Sequence, residues 1–96
     1  ITTSMAGDKL TLRYNVVVHF NSSDGLATQK KEEERRSNEM LNAALKDVKA
    51  EFREVAGRAL KVKEIGNTDD VELISATAQS ERKIAYYRRY LTFEIS

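Results

Sequence analysis

A long run of strict alternation, from Lys9 to Phe20, constrains the fold of this chain more than any other sequence feature. Apolar or aromatic side chains occupy every second position, and mostly polar side chains occupy the positions between them. Successive side chains of a β-strand point to opposite sides, so a period of two over this length is typical of a strand with one buried face. We therefore predict a long strand whose buried side chains are Leu10, Leu12, Tyr14, Val16, Val18 and Phe20.

A second periodicity, of the helical kind, runs from Leu41 to Ala56. Apolar residues recur there at steps of three and four, and Gly57 is typical of the left-handed residue that ends a helix. The preceding stretch, residues 29–39, contains no apolar residue but is rich in Lys, Arg and Glu. Two helix starts fit this pattern, near Ser37 and near Thr28. The favoured interpretation is one continuous helix whose charged first half is poorly buried and frayed.

Turn and strand signals alternate in the remaining segments. Residues 21–25 read Asn-Ser-Ser-Asp-Gly, which predicts a loop between the first strand and the helix. Residues 60–65 are predicted to form a second strand, and residues 66–70, Gly-Asn-Thr-Asp-Asp, a turn after it. Residues 71–78 are weakly strand-like, and residues 79–82 fit another turn.

The C-terminal segment decides the fold class. With a period of two, one face of this segment carries Ala85, Tyr87, Arg89, Leu91, Phe93 and Ile95. A helix would leave residues 92–95 unexplained, and the residue types favour a strand. We predict a single α+β domain over residues 1–96 with the order β-α-β-β. Its mainly antiparallel sheet would carry one long amphipathic helix across one face, and residues 1–8 are expected to be flexible or foreign to the natural protein.

Composition argues against several classes of function. The chain has no cysteine, a single histidine (His19), and glycines too scattered to form a phosphate-binding loop. Catalytic centres and zinc sites generally need such residues grouped, so we expect no enzyme activity, no cofactor and no metal site. The longest apolar run, Val16–Val18, is too short for membrane insertion.

A basic and aromatic cluster in the last predicted strand is the main candidate site. Tyr and Arg are enriched at protein interfaces, and the same residue types on a strand also suit nucleic-acid stacking. A plain solvated edge strand fits equally well, whereas the net charge of +1 makes nucleic acid the less favoured partner. Adding two residues from the charged helix start, the candidate partner interface comprises Tyr86, Arg88, Arg89, Tyr90, Lys30 and Arg35.

The order of predicted elements resembles the tail-terminator, or tail-completion, proteins of long-tailed bacteriophages. LTLRYNVVVHF would be their long strand, SNEMLNAALKDVKAEFREVAG their helix and IAYYRRYLTFEIS their closing strand. The resemblance implies a non-enzymatic subunit that assembles into a ring with itself and contacts other assembly proteins. It also implies a place in the virion or the host cytoplasm.

Several short sequence motifs also resemble those of OmpA-like peptidoglycan-binding domains. NVVVHFNSSDGL is similar to their first strand and its exit, EIGNTDD to a turn, and SERKIAYYRRYL to a helix. In that family the turn Asp and the helix Arg hold the diaminopimelate of the wall peptide. The resemblance implies these roles for Asp69 and Arg82, and a periplasmic location.

Overall fold

The computed structural model describes residues 1–75 and 83–95 of the chain. In chain order, the elements of this part are β1 (Thr2–Ala6), β2 (Lys9–Phe20), α1 (Ser23–Ala56), β3 (Val62–Ser75) and β4 (Lys83–Ile95). The strands form one sheet in the order β1-β2-β4-β3, with every neighbouring pair antiparallel. The helix packs against the sheet, mainly on β2. The predicted α+β class is therefore confirmed, with β1 added in front of the predicted β-α-β-β order.

Residues 1–8, expected to be flexible, instead contain β1. This strand forms a hairpin with β2, in which Ala6 pairs with Lys9 across a Gly7-Asp8 turn. Gly7 has a φ of 63°, a conformation that costs glycine little. Glycine followed by aspartate between two strands is a recognised hairpin signal. The sequence therefore contained a local clue to β1.

The helix is longer than predicted, and its burial differs from the prediction near both ends. It starts at Ser23, where Ser22 is the N-cap, and it ends at Gly57, whose φ is 71°. Within its charged first half Glu33 is buried, whereas Val55 near its end is 84% exposed. The first half is thus mostly exposed, as predicted, but it is regular helix and buries Glu33 and Ser37, whereas the predicted burial of Val55 is wrong.

The short connection between β2 and α1 explains these two differences. Only Asn21 and Ser22 separate the two elements, so the first half of the helix must run back over β2. A helix of 34 residues is roughly 51 Å long, whereas a strand of 12 residues spans only about 40 Å. The last turns of α1 therefore extend past the start of β2, and an apolar stripe is left partly uncovered.

The predicted turn at residues 66–70 is also wrong, because β3 runs straight through it. The register passes from Glu64 opposite Phe93 to Gly66 opposite Thr92, so Ile65 is the extra residue of a β-bulge. Pairing with β4 satisfies the backbone of this segment, and that long-range contact overrides local turn preferences. Residues 76–78 and the predicted turn at residues 79–82 lie outside the described residues.

The C-terminal strand was predicted correctly, and it organises the core. β4 lies between β2 and β3, and its alternate residues Ala85, Tyr87 and Phe93 are buried beneath the helix. The side of the sheet that faces α1 therefore holds the core. Its buried cluster consists of Leu10, Leu12, Tyr14, Val18, Leu41, Tyr87, Leu91 and Phe93.

Candidate protein-interaction surface

The side of the sheet opposite α1 is left uncovered by the described part of the chain. Because strand residues alternate, the positions between the core residues of β2, β4 and β3 share this side. The register aligns them in rungs across the three strands. We call this surface the open face; its central rungs are Val17–Tyr86–Glu72, Asn15–Arg88–Asp70 and Arg13–Tyr90–Thr68.

Two arginine–tyrosine pairs dominate the open face. The Arg13 guanidinium lies 5.6 Å from the ring centroid of Tyr90, and that of Arg88 lies 5.9 Å from the ring centroid of Tyr86. Each such contact is worth about 0.5–1 kcal/mol at exposed sites. Val17, paired with Tyr86, is 49% exposed and extends the apolar part of the surface. These contacts limit the freedom of both tyrosines before any partner binds.

The charges of the open face are partly balanced within the sheet. Arg88 forms ion pairs with Glu72 and, at 4.0 Å, with Asp70, both on β3. Arg13 takes part in no ion pair with another described residue. The open face thus combines aromatic and apolar area with one balanced and one free arginine.

The structure brings together only half of the predicted interface residues. Tyr86, Arg88 and Tyr90 share the open face, as the period of two predicts. Arg89 lies on the helix side of β4, where its Nη1 donates a hydrogen bond of 3.5 Å to Ser37 Oγ. Arg89 therefore belongs to a different environment from its two sequence neighbours.

Lys30 and Arg35 lie on α1, on the other side of the molecule from the open face. Arg35 bridges Glu32 at 2.6 Å and Glu39 at 2.9 Å, and Lys30 lies 4.0 Å from Glu34. The hydrogen bond from Arg35 lowers the pKa of the Glu32 carboxyl. These cations are engaged in pairs along their own helix, and they form no common surface with Tyr86 and Tyr90.

A polar layer between α1 and the sheet was not predicted from the sequence. Tyr14 is 5% exposed and donates a hydrogen bond of 2.5 Å from its hydroxyl to Oε2 of Glu33, which is 7% exposed. Burial raises the pKa of Tyr14 to about 12, and the Glu33 hydrogen bond and charge act in the same direction. Arg36 Nη1 lies 3.4 Å from the other Glu33 oxygen. The buried carboxylate is therefore satisfied from two sides.

Tyr87 and Ser37 complete this polar layer. The Tyr87 ring meets that of Tyr14 edge to face, with 6.2 Å between centroids, and burial raises the pKa of Tyr87. Ser37 is fully buried, and its Oγ donates a hydrogen bond of 2.9 Å to the Glu34 carbonyl. Within the described residues, the Tyr87 hydroxyl and Arg89 Nε are buried without a hydrogen-bond partner. We define the polar layer as Tyr14, Glu33, Ser37, Tyr87 and Arg89.

One sequence signal for the polar layer was available. Glu33 and Ser37 precede Leu41 by eight and four residues, so they continue the apolar stripe of the helix towards its start. The charged stretch around them hid this continuity. Helical position predicts which side a residue faces, but not whether that side is buried.

A groove lies where the C-terminal turns of α1 extend beyond the start of β2. Met5 of β1 and Phe52 and Val55 of α1 line an open space of about 320 Å³, together with Thr3, Val48 and Glu51. Met5 is 55% exposed, and Val55 is still more exposed. We call this space the terminal groove, an apolar depression beside the edge strand β1.

The residues implied by the peptidoglycan-binding resemblance are not placed as that family would place them. Asp69 lies within β3 opposite Arg89, in a strand instead of a turn. Lys83–Ile95 is a strand, so the implied helix does not extend over these residues. Arg82 lies outside the described residues.

Two searches of the described residues and three comparisons with known proteins complete the description. Within residues 1–75 and 83–95, no group of three or more His, Asp or Glu side chains is placed to hold a metal ion. In the same residues, α1 is too polar to qualify as a membrane-crossing helix. Comparison with protein-family models, with curated proteins and with solved structures found no match.

Proposed function

We propose that this chain is a non-catalytic assembly protein that binds other protein subunits through the open face. The observation that carries this proposal is the uncovered set of rungs on β2, β4 and β3, with Tyr86 and Tyr90 held by arginines. Buried tyrosine and arginine side chains contribute much of the binding energy at protein interfaces. Because contacts within the sheet already orient these side chains, less conformational entropy is lost on binding.

The charge of the open face favours protein over nucleic acid as the partner. Glu72 and Asp70 lie beside Arg88, and their carboxylates would repel a phosphate backbone. Single-strand binding surfaces combine stacking aromatics with uncompensated positive charge. Arg13 alone supplies such a charge at the central rungs. A protein surface with both polar and apolar groups complements this face better.

The specific form that we propose is a ring subunit of the phage tail-terminator kind. In a ring, the open face of one subunit contacts a different surface of the next, and such head-to-tail contacts close after a fixed number of copies. The sequence resemblance supports this form, together with a virion or host-cytoplasm location. The expected partners are other copies of this chain and further assembly proteins.

Photo-cross-linking tests the proposal directly. We would place the photoreactive residue p-benzoylphenylalanine at position 86, on the open face, and at Lys46 as a control on the exposed side of α1. After irradiation of the purified chain, the position-86 variant should give covalent dimers and larger species. Peptide mass spectrometry should locate its adducts outside the open face of the second copy. Adducts no more abundant than those of the Lys46 variant would contradict the proposal.

Two further probes separate the alternative functions. Saturable binding of a single-stranded oligouridine, abolished by Tyr90→Ala in fluorescence anisotropy, would replace protein by nucleic acid as the partner. Retention on purified peptidoglycan that is lost with Asp69→Ala would support the wall-binding alternative. Neither result is expected, because the open face carries acidic groups and Asp69 lies in a strand.

A further inference from the structure

We infer that a second copy of this chain pairs with β1 about a two-fold axis and that the pair closes the terminal groove. This contact uses a surface separate from the open face. It therefore goes beyond the proposed function, and each can fail without the other.

The chemistry of the two sheet edges identifies β1 as the one open to pairing. Charged side chains on an edge strand are a common means of preventing contact between sheets. Residues 1–6 contain no charged side chain, and every residue of β1 is exposed. The other edge, β3, carries Lys63, Glu64, Asp69, Asp70 and Glu72.

The backbone of β1 is arranged to pair with a copy of itself. Ala6 and Lys9 flank a two-residue turn, so this pair exchanges hydrogen bonds and the pairs alternate along the hairpin. The N–H and C=O groups of Thr3 and Met5 consequently point away from β2. Antiparallel pairing centred on Ser4 places Thr3 of each copy opposite Met5 of the other. That register satisfies all the outward groups of these two residues with four hydrogen bonds.

The same register brings apolar surface together on the helix side. Met5 and Thr3 face the terminal groove, because they pair with the core residues Leu10 and Leu12 of β2. In the two-fold pair, the Met5 side chain of each copy approaches the groove of the other, where Val55 is 84% exposed. Two four-stranded sheets then become one continuous sheet with β1 strands at its centre.

Self-complementarity is the reason for choosing a second copy over an unrelated peptide. An isologous contact requires one patch to provide both the donors and the acceptors, and both the apolar side chains and the space for them. β1 and the terminal groove meet this requirement within one short segment. Because only one five-residue strand and one groove per copy take part, we expect a weak dimer, with a Kd on the order of 50 µM.

Sedimentation velocity and amide exchange test this inference on the 96-residue chain. Between about 5 µM and about 500 µM the species that the wild type forms at low concentration should double reversibly in mass. Met5→Lys and Val55→Lys should each weaken the dimer at least about tenfold, since each places two like charges in one apolar contact. Asn67→Lys, at an exposed position of the opposite edge strand and outside the open face, is the matched control and should leave the Kd unchanged.

Exchange of individual amides, followed by NMR, provides the decisive readout. The N–H groups of Thr3 and Met5 should become protected as the concentration rises, whereas that of Ser4, bonded to β2, should be protected throughout. Circular dichroism would verify that each variant remains folded. A strict monomer up to the highest concentration would overturn the inference. A dimer unaffected by Met5→Lys and Val55→Lys would overturn it as well.

Discussion

Removal of the Tyr14 hydroxyl should cost stability in a way that depends on pH. In Tyr14→Phe the ring is kept, but the buried Glu33 carboxylate loses its 2.5 Å donor and retains only Arg36. Hydrogen bonds to charged groups are worth about 1.5–3 kcal/mol, so we expect a loss of about 2 kcal/mol at neutral pH. Urea unfolding followed by far-UV circular dichroism measures this difference.

The raised pKa of Tyr14 makes this stability difference depend on pH. The unfolded chain should release the phenol proton near pH 10, whereas the folded chain holds it to about pH 12. The neutral phenol therefore contributes stability that is fully present below pH 10 and is lost as the pH rises to 12. At 1.36 kcal/mol per unit this pH-dependent contribution is at most about 3 kcal/mol, and its largest cause is the desolvation of the phenolate by burial, followed by the Glu33 hydrogen bond.

The comparison between wild type and Tyr14→Phe isolates this group from other residues that titrate at high pH. The stability gap between the two proteins should shrink by about 1 kcal/mol between about pH 8 and about pH 11. Tyr86→Phe removes the same hydroxyl from an exposed ring and should change stability by less than about 0.5 kcal/mol at neutral pH. A gap that is constant over this pH range would refute the reasoning.

A double-mutant cycle with Glu33→Gln tests whether the two side chains act as a pair. If they do, the two substitutions together should cost less than the sum of their separate effects, with a coupling of about 1 kcal/mol or more. Strict additivity in urea unfolding would show that the Tyr14 effect arises elsewhere.

Four further substitutions test the fold. Leu41→Ala should cost about 2–4 kcal/mol in urea unfolding because Leu41 is fully buried. Val55→Ala, on the same helical stripe, should cost less than about 0.5 kcal/mol in the monomer because Val55 is exposed. Equal effects would contradict the position of the helix on the sheet. Ser22→Ala should lower stability by about 1 kcal/mol, because its Oγ accepts a 3.1 Å hydrogen bond from the Gly25 N–H, and an unchanged midpoint would exclude this cap. Gly7→Ala should cost about 1 kcal/mol in thermal unfolding, because its added Cβ meets no atom within 4 Å and only the positive φ is strained; a stabilised protein would contradict the hairpin.

Sequence periodicity predicted the two strands, β2 and β4, that have one buried and one exposed side. β2 and β4 follow the period of two closely, and this pattern also placed Tyr86 and Tyr90 on one face and Arg89 on the other. β3 was divided wrongly, since Gly66 and its polar neighbours have strong turn preferences. Its extended form depends on pairing with β4, which is distant in sequence, and no local signal reports that pairing.

Burial along the helix was the feature that the sequence predicted least well. An apolar stripe indicates which side of a helix can be buried, but the two-residue connection after Phe20 determines which turns lie over the sheet. This is why Glu33 is buried and Val55 is not. The terminal groove follows from the same unequal lengths, so it was missed together with the polar layer.

The hydrogen bond between Tyr14 and Glu33 also determines the position of the helix along the sheet. If only apolar contacts joined the helix to the sheet, the helix could shift by one turn, about 5.4 Å, with a small loss of stability. With the hydrogen bond present, the same shift would separate the Glu33 carboxylate from the Tyr14 hydroxyl and leave a buried charge beside aromatic rings. That loss of free energy is much larger. Val55 lies roughly 33 Å from Glu33 along the helix axis, beyond the start of β2. Its position there is thus determined by a hydrogen bond in the first half of the helix.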